Sequence, residues 1–157
     1  MADRCYDPLF GEVPDRVLLS NAPLVRVLGQ VKFPRISKIA EESYIADFQE
    51  AIRDEYPHFQ SDTIQGVDIV IEGNEVKHRQ VTTVVWRFFD ARRVLRVSLG
   101  PDAITLETAS YVSRDDFLSR FEFILGKLVE TIRPKLVQRV GFRYVDRLQD
   151  PDDLKVM

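Results

Sequence analysis

Four short runs of alternating apolar residues follow one another between residues 67 and 111, and this feature constrains the fold most. Alternation at every second position is typical of strands with one buried face. Turn-forming stretches of two or three residues separate the runs, at 73–74, 90–92 and 100–102. Because a parallel pair needs a crossover of roughly a dozen residues or more, the sequence predicts four successive antiparallel strands.

Two amphipathic helices flank these strands. The first, residues 43–56, has its large apolar side chains at helical spacing: Ile45, Phe48, Ile52 and Tyr56. The second follows Ser113 and Asp116, which match a capping box that satisfies free amides of the first helical turn. Its apolar stripe is nearly five turns long and ends before a proline: Phe117, Phe121, Ile124, Leu128 and Ile132. Alternation at residues 24–33 and 136–145 predicts one strand before the first helix and one after the second.

The predicted fold is an α+β domain in the order β-α-β-β-β-β-α-β, with both helices on one face of an antiparallel sheet. This order suits a TATA-binding-protein-like sheet, and a helix-grip-like sheet is the alternative. We expect an irregular N-terminal arm at residues 1–20 and a single domain at residues 21–148. Residues 149–157 are expected to be a tail or the start of a missing C-terminal part.

Size and composition favour a self-sufficient core. The 157 residues are 45% hydrophobic, and Cys5 is the single cysteine, so no internal disulfide can form. No apolar run approaches the roughly 18 residues of a membrane span, and the first residues lack the apolar stretch of a signal peptide. The sequence therefore predicts a soluble, cytoplasmic protein with no membrane partner.

Residues that carry common catalytic or metal chemistry are sparse. His58 and His78 are the two histidines, they lie far apart in the chain, and Cys5 is remote from both. The seven glycines form no nucleotide-binding motif. We predict no catalytic residue, metal or cofactor, and the sequence leans toward a non-enzymatic protein. An enzyme whose site is completed by further chain or by a partner stays an alternative.

Charge is segregated along the chain, although the net charge is only −3. Residues 41–75 hold ten acidic residues and one basic residue, whereas residues 76–100 hold six basic and one acidic. Residues 133–147 hold five basic and one acidic. The basic stretches are predicted strands, so their outward arginines would form one positive sheet surface if the strands paired side by side. The candidate binding residues are Arg87, Arg96, Arg139 and Arg143, with Trp86 and Tyr144 as aromatic neighbours that could stack on bases.

A structural role for these arginines is the alternative to a binding role. Cross-strand arginines commonly pair with acids on neighbouring strands, and the candidate acids are Asp68, Glu72 and Glu107. The acidic pI, near 5.5, also disfavours nucleic acid as the partner.

Two motifs resemble those of a known family. Residues 21–24 read Asn-Ala-Pro-Leu and residues 139–147 read Arg-Val-Gly-Phe-Arg-Tyr-Val-Asp-Arg. They resemble the N-A-P-[LI] opening and the R-[IV]-G-x-R-[YF]-[IV]-[ND]-R closing motif of a sporadically distributed bacterial family of uncharacterised proteins. Arg26 and Asp146 depart from the family pattern, which usually has an acid and an asparagine there. The resemblance implies no catalytic residues, and the patchy distribution suggests a mobile or defence-related system.

The sequence therefore favours a protein-interaction module that docks through its sheet or the sheet edges. Its partner would be another protein or a second copy in a homo-oligomer. The alternative is binding of nucleic acid or a phosphate-bearing ligand through the arginine-rich face. A deep polar pocket lined by either imidazole and a cluster of carboxylates would contradict the docking interpretation.

Overall fold

The computed structural model describes residues 6–7, 11–12, 24–72 and 75–147, with side chains described for residues 24–66 and 80–147. The elements in chain order are β1 (Tyr6–Asp7), β2 (Gly11–Glu12), β3 (Leu24–Lys32), a 3-10 helix (Ser37–Ala40), α1 (Glu42–Ile52), β4 (His58–Glu72), β5 (Glu75–Phe89), β6 (Leu95–Leu99), β7 (Ala103–Thr108), α2 (Arg114–Thr131) and β8 (Arg139–Asp146).

Six of the strands form one antiparallel sheet in the order β4-β5-β6-β7-β3-β8. The fold is therefore α+β, and the strand–helix–four strands–helix–strand order is confirmed. The short turns join β4 to β7 as a meander, whereas β3 lies between β7 and β8 and pairs with both. Within the predicted arm, β1 pairs with β2; the remainder of the arm and the predicted tail lie outside the described residues.

Both helices pack on one side of the sheet, here called the helix face. Ring contacts show this: Phe48 of α1 packs edge-on against Phe88 of β5, with centroids 5.6 Å apart. Phe121 of α2 contacts Phe142 of β8 at the same centroid separation, 5.6 Å. All nine predicted stripe residues of the two helices are buried, four in or just beyond α1 and five in or just beyond α2. Burying each such side chain contributes about 1.5–3 kcal/mol, so these stripes fix the helices on the sheet.

Of the capping box predicted for the second helix, the half contributed by the serine hydroxyl is present. Ser113 is extended, and its hydroxyl accepts a hydrogen bond from the Asp116 backbone N–H at 3.1 Å. The Asp116 carboxylate accepts from Arg120 Nε, one turn along the helix. At the other end Arg133 takes a left-handed conformation, φ 57°, just before Pro134. These residues set where α2 starts and stops.

The β4–β5 hairpin is longer than the sequence predicts. Strand β4 begins at His58, whereas the alternation predicts a strand only from residue 67. Both strands have 15 residues, but only Trp86–Phe89 of β5 also pair with β6. The ladder therefore continues beyond the sheet as a two-stranded ribbon.

The other side of the sheet, the open face, carries the alternate residues of each strand. It includes Arg26, Leu28, Gln30, Lys32, Arg87, Arg96, Ser98, Thr105, Glu107, Arg139 and Arg143. The 3-10 helix contributes Ile39 to the core and so lies on the helix side with α1 and α2. In the described part of the chain, neither α-helix has the length and apolar character that crossing a membrane requires.

Candidate functional site

The four candidate arginines lie on one face of the sheet, the open face. Arg87 and Arg96 belong to β5 and β6, and Arg139 and Arg143 belong to β8. The cross-strand row through Arg96 passes Glu107 on β7, crosses β3 and reaches Arg143. The two basic strands do not pair side by side, because β6, β7 and β3 lie between β5 and β8.

The arginines toward the middle of the sheet are paired with acids. Arg87 forms a salt bridge with Asp62 of β4. Arg96 forms one with Glu107, and Arg26 Nε lies 3.3 Å from the other oxygen of the same carboxylate. Glu107 was among the predicted partners, and Asp62 was not. These two candidates therefore have a structural role on the open face.

The two arginines of β8 are more available. Arg139 is exposed and donates to Gln30 Oε1 at 3.2 Å, and Gln30 in turn donates to Thr105 at 3.1 Å. Arg143 is exposed, and the described residues offer it no ion pair or hydrogen bond. A hollow of about 390 Å³ lies between them, beside Gly141, where a Cβ would meet nothing within 4 Å. This end of the open face is therefore basic and accessible.

The two candidate aromatic residues lie on the helix face, opposite the arginines. Trp86 is 5% exposed, its indole N–H donates to the Ile39 carbonyl at 2.5 Å, and its ring stacks on Phe59 at 5.6 Å. Tyr144 is 51% exposed and meets Tyr111 edge-on at 6.1 Å. The structure therefore does not bring either ring together with the arginines.

Strand β8 is an edge strand with an exposed apolar side. Among the described strands it pairs only with β3. On its helix face Val140, Phe142 and Tyr144 are 55%, 45% and 51% exposed. We call this combination the β8 edge: a backbone edge that none of the described strands pairs with, apolar Val140, Phe142 and Tyr144 on one side, and Arg139 and Arg143 on the other.

A polar cleft lies elsewhere, where the end of α1, the β5–β6 turn, the end of β7 and the start of α2 meet. We call it the Tyr56 cleft, and its volume is about 570 Å³. Its ionisable lining residues are Glu55, Tyr56, Asp90, Arg92, Asp116 and Arg120. Three of these residues are carboxylates, and His58, the histidine whose side chain is described, is not among the lining residues.

Sequence reasoning assigned none of these side chains to a site. Tyr56 was counted in the apolar stripe of the first helix, and Asp116 was counted as a cap residue. The one local signal is the spacing of Asp116 and Arg120, which are four apart on one helix and form an ion pair at 3.1 Å. The other members come from separate elements, so their proximity depends on the tertiary fold.

Histidines and metal ligands give no further cluster in the described residues. His58 is half-buried at the start of β4, whereas the side chain of His78, and all of Cys5, lie outside the described residues. No three His, Cys, Asp or Glu side chains are close enough together in the described part of the chain to hold a metal ion.

Comparison with known proteins does not assign this chain to a family. No protein-family model matches the chain, and no curated protein sequence matches it.

Proposed function

We propose that this chain is a non-enzymatic protein-interaction module that docks an extended segment of another protein along the β8 edge. The observation that carries the proposal is the composition of this edge strand, which leaves about half of Val140, Phe142 and Tyr144 exposed. An edge strand also presents unpaired N–H and C=O groups that can pair with an added strand.

Charge complementarity defines the occupant. Arg139 and Arg143 project from the open-face side of the same strand, and Arg143 lacks an ion pair among the described residues. An added strand places its alternate side chains on the same two faces as its neighbour. The proposed occupant therefore has acidic residues at every second position, facing the arginines, and apolar residues between them, facing Phe142.

A second copy of the chain is the less favoured occupant. Two β8 strands could pair antiparallel across a two-fold axis. A register centred on Gly141 places Arg139 opposite Arg143 of the other copy, and a register centred on Arg143 places that residue opposite itself. Like charges directly opposite are destabilising, so the basic edge favours an acidic partner. The family resemblance leads us to propose that this partner comes from a bacterial mobile or defence-related system.

Two synthetic peptides test the proposal. One alternates valine with glutamate, and the matched control alternates valine with lysine. We expect the purified chain to bind the glutamate peptide in a fluorescence anisotropy titration, with protection of β8 amides from hydrogen exchange. The lysine peptide should not bind.

Charge reversal at one exposed arginine sharpens the test. Arg143→Glu should lower affinity for the glutamate peptide about tenfold or more, because a hydrogen bond to a charged group contributes about 1.5–3 kcal/mol. The matched control is Arg53→Glu, because Arg53 is exposed at the end of α1 and its ion pair among the described residues is with nearby Glu50. Equal binding of both peptides, or a dimer in light scattering that blocks peptide binding, would refute docking of an acidic strand.

The alternative function is binding of nucleic acid or a phosphate-bearing ligand on the open face. The placement of all four arginines on that face favours it, and the hollow beside Gly141 offers space for a phosphate. Such binding to a labelled single-stranded oligonucleotide would weaken steeply with salt, since phosphate contacts release counterions. Replacing Arg139 and Arg143 with glutamine should abolish it, and binding that ignores salt would exclude this alternative.

A further inference from the structure

The floor of the Tyr56 cleft holds a hydroxyl without a partner. Tyr56 is 2% exposed, and none of the described residues forms a hydrogen bond with its hydroxyl. A buried polar group left without a partner is unfavourable and rare in native proteins. A ligand oxygen that accepts this hydrogen bond would remove that cost, so the hydroxyl points to an occupant of the cleft.

Arg120 supplies further donors beside this hydroxyl. Its Nε is held by both Asp116 oxygens, at 3.1 Å each. The described residues leave its two terminal nitrogens without a hydrogen-bond partner. Because Asp116 fixes the guanidinium from one side only, the terminal N–H groups stay available to a ligand. Arg120 and Tyr56 both line the cleft, so the two groups lie in one neighbourhood.

The electrostatics of the cleft select against an anion. Burial, followed by the charge of Glu55, raises the pKa of the Tyr56 hydroxyl to about 12, and Asp90 and Asp116 act in the same direction against the opposing effect of Arg120. The hydroxyl therefore stays protonated and donates. The cleft lining carries three carboxylates against two guanidinium groups, those of Arg92 and Arg120, so an anionic group at this point is less favoured than a neutral oxygen.

Two acidic groups remain available to a cation. Asp90 accepts a hydrogen bond from the Leu95 N–H through one oxygen, Oδ1, at 2.8 Å. Its second oxygen has no partner among the described residues, and Glu55 at the rim is exposed. Both line the cleft with Tyr56 and Arg120. A ligand in the cleft thus meets both hydrogen-bond donors and free carboxylate oxygens.

We propose that the Tyr56 cleft binds a small hydroxylated amine, such as an amino sugar. Hydroxyl oxygens of the ligand accept from Tyr56 and Arg120, and its ammonium group pairs with Asp90 and Glu55. The cleft volume of about 570 Å³ falls in the usual range for small-molecule sites. This site shares no lining residue with the β8 edge and does not depend on the docking function.

Three sugars of one size and different charge test the ligand class. Glucosamine is the cation, glucose is the neutral compound and glucuronate is the anion. Isothermal titration should rank their affinities in that order, with glucosamine at least about tenfold tighter than glucose, because hydrogen bonds to charged groups are the stronger ones. Tightest binding by glucuronate, or no binding of glucosamine in the millimolar range, would overturn the proposal.

Variants tie the binding to the named groups. Tyr56→Phe keeps the ring and removes the hydroxyl, so affinity for glucosamine and for glucose should fall together. Asp90→Asn keeps an acceptor for Leu95 but removes the charge, so only the preference for glucosamine over glucose should be lost. The control is Tyr44→Phe. The hydroxyl that it removes donates to the Ile132 carbonyl at 3.5 Å and lies outside the cleft lining. Unchanged binding by Tyr56→Phe would refute the assignment, and the peptide titrations at the β8 edge would be unaffected by it.

Discussion

Among the glycines whose surroundings the structure describes, Gly29 on β3 is the position where an added methyl group should destabilise the protein most. A Cβ at this position would lie 3.0 Å from Phe142 Cε1, 3.2 Å from Phe117 Cε1 and 3.3 Å from Phe121 Cε1. Three rings from two different elements thus converge on one glycine. Ordinary contacts of a Cβ begin at 3.4 Å, so Gly29→Ala requires the rings to move.

How easily each ring can move decides how much stability Gly29→Ala costs. Phe117 and Phe121 are both 3% exposed within the helix packing, whereas Phe142 is 45% exposed on the edge strand, so a small displacement of its ring costs the least. Overpacking a core costs about 1–3 kcal/mol. Alanine also reduces the conformational entropy of the unfolded chain, which stabilises the folded protein by about 0.4–1 kcal/mol and offsets part of this cost. We therefore expect Gly29→Ala to lower the free energy of unfolding by about 1–2 kcal/mol, which lowers Tm by about 2–8 °C for a domain of this size.

Urea and thermal unfolding measure this change, and the chain offers a matched control. Gly126 lies in α2, and a Cβ there would meet nothing within 4 Å. Gly126→Ala should therefore stabilise the protein by about 0.8–1 kcal/mol through helix propensity. Phe142→Leu removes the closest ring edge, so Gly29→Ala should cost less in that background. A Gly29→Ala protein as stable as the parent, or strictly additive double variants, would refute the packing of α2 on β3 described above.

Four further predictions concern the core and the cap. Tyr56→Phe should raise the free energy of unfolding by about 1–3 kcal/mol at neutral pH, because it removes a buried hydroxyl without a partner; a destabilised variant would show that the hydroxyl is hydrogen-bonded in the folded protein. Since the Tyr56 pKa is raised from 10.0 in the unfolded chain to about 12 in the folded protein, the unfolded chain loses its proton first. The free energy of unfolding should therefore be insensitive to this group below pH 10 and fall by about 3 kcal/mol as the pH rises toward about 12, a fall absent from Tyr56→Phe in alkaline urea titrations. Ser113→Ala should cost about 0.5–2 kcal/mol by removing the cap on the Asp116 N–H, and equal stability would mean that the cap is replaced. Phe88→Ala should lower the free energy of unfolding by about 3–5 kcal/mol, and neighbouring Phe89→Ala by less than half of that, because Phe88 is fully buried and Phe89 is not. Equal losses in urea unfolding would contradict the assignment of Phe88 to the core face of β5.

Local patterns were sufficient to predict both α-helices and the six strands of the main sheet, although not the full length of β4. The apolar stripes of both helices are buried as their spacing requires, and short turns force the meander from β4 to β7 to be antiparallel. The local pattern could not predict which strands that are distant in sequence pair with each other. The start of β4, from His58 to Gly66, has polar residues on both faces, and it forms a strand because β5 pairs with it along its whole length. The position of β3 between β7 and β8 likewise depends on long-range contacts.

The candidate site was predicted in part, and the alternation of a strand explains both outcomes. Arg139 and Arg143 are four residues apart on β8 and must share a face. Trp86 precedes Arg87, and adjacent residues of a strand point to opposite faces, so the tryptophan belongs with the helices. Tyr144 follows Arg143 and is separated from it for the same reason. The Tyr56 cleft had no comparable signal, because four separate elements supply its lining.

The β8 edge combines an apolar side that packs in part on the helix layer with a charged side that contributes little to folding. Phe142 packs against Phe121 at 5.6 Å and Tyr144 against Tyr111 at 6.1 Å, so α2 and the chain before it hold both exposed rings in place. Ordering a side chain on binding costs about 0.5–1.5 kcal/mol, and rings that are already held avoid most of this cost. Arg143, in contrast, lacks an ion pair among the described residues. Reversing its charge should therefore leave the free energy of unfolding within about 0.5 kcal/mol of the parent, so a loss of peptide binding in Arg143→Glu reports on docking rather than on folding.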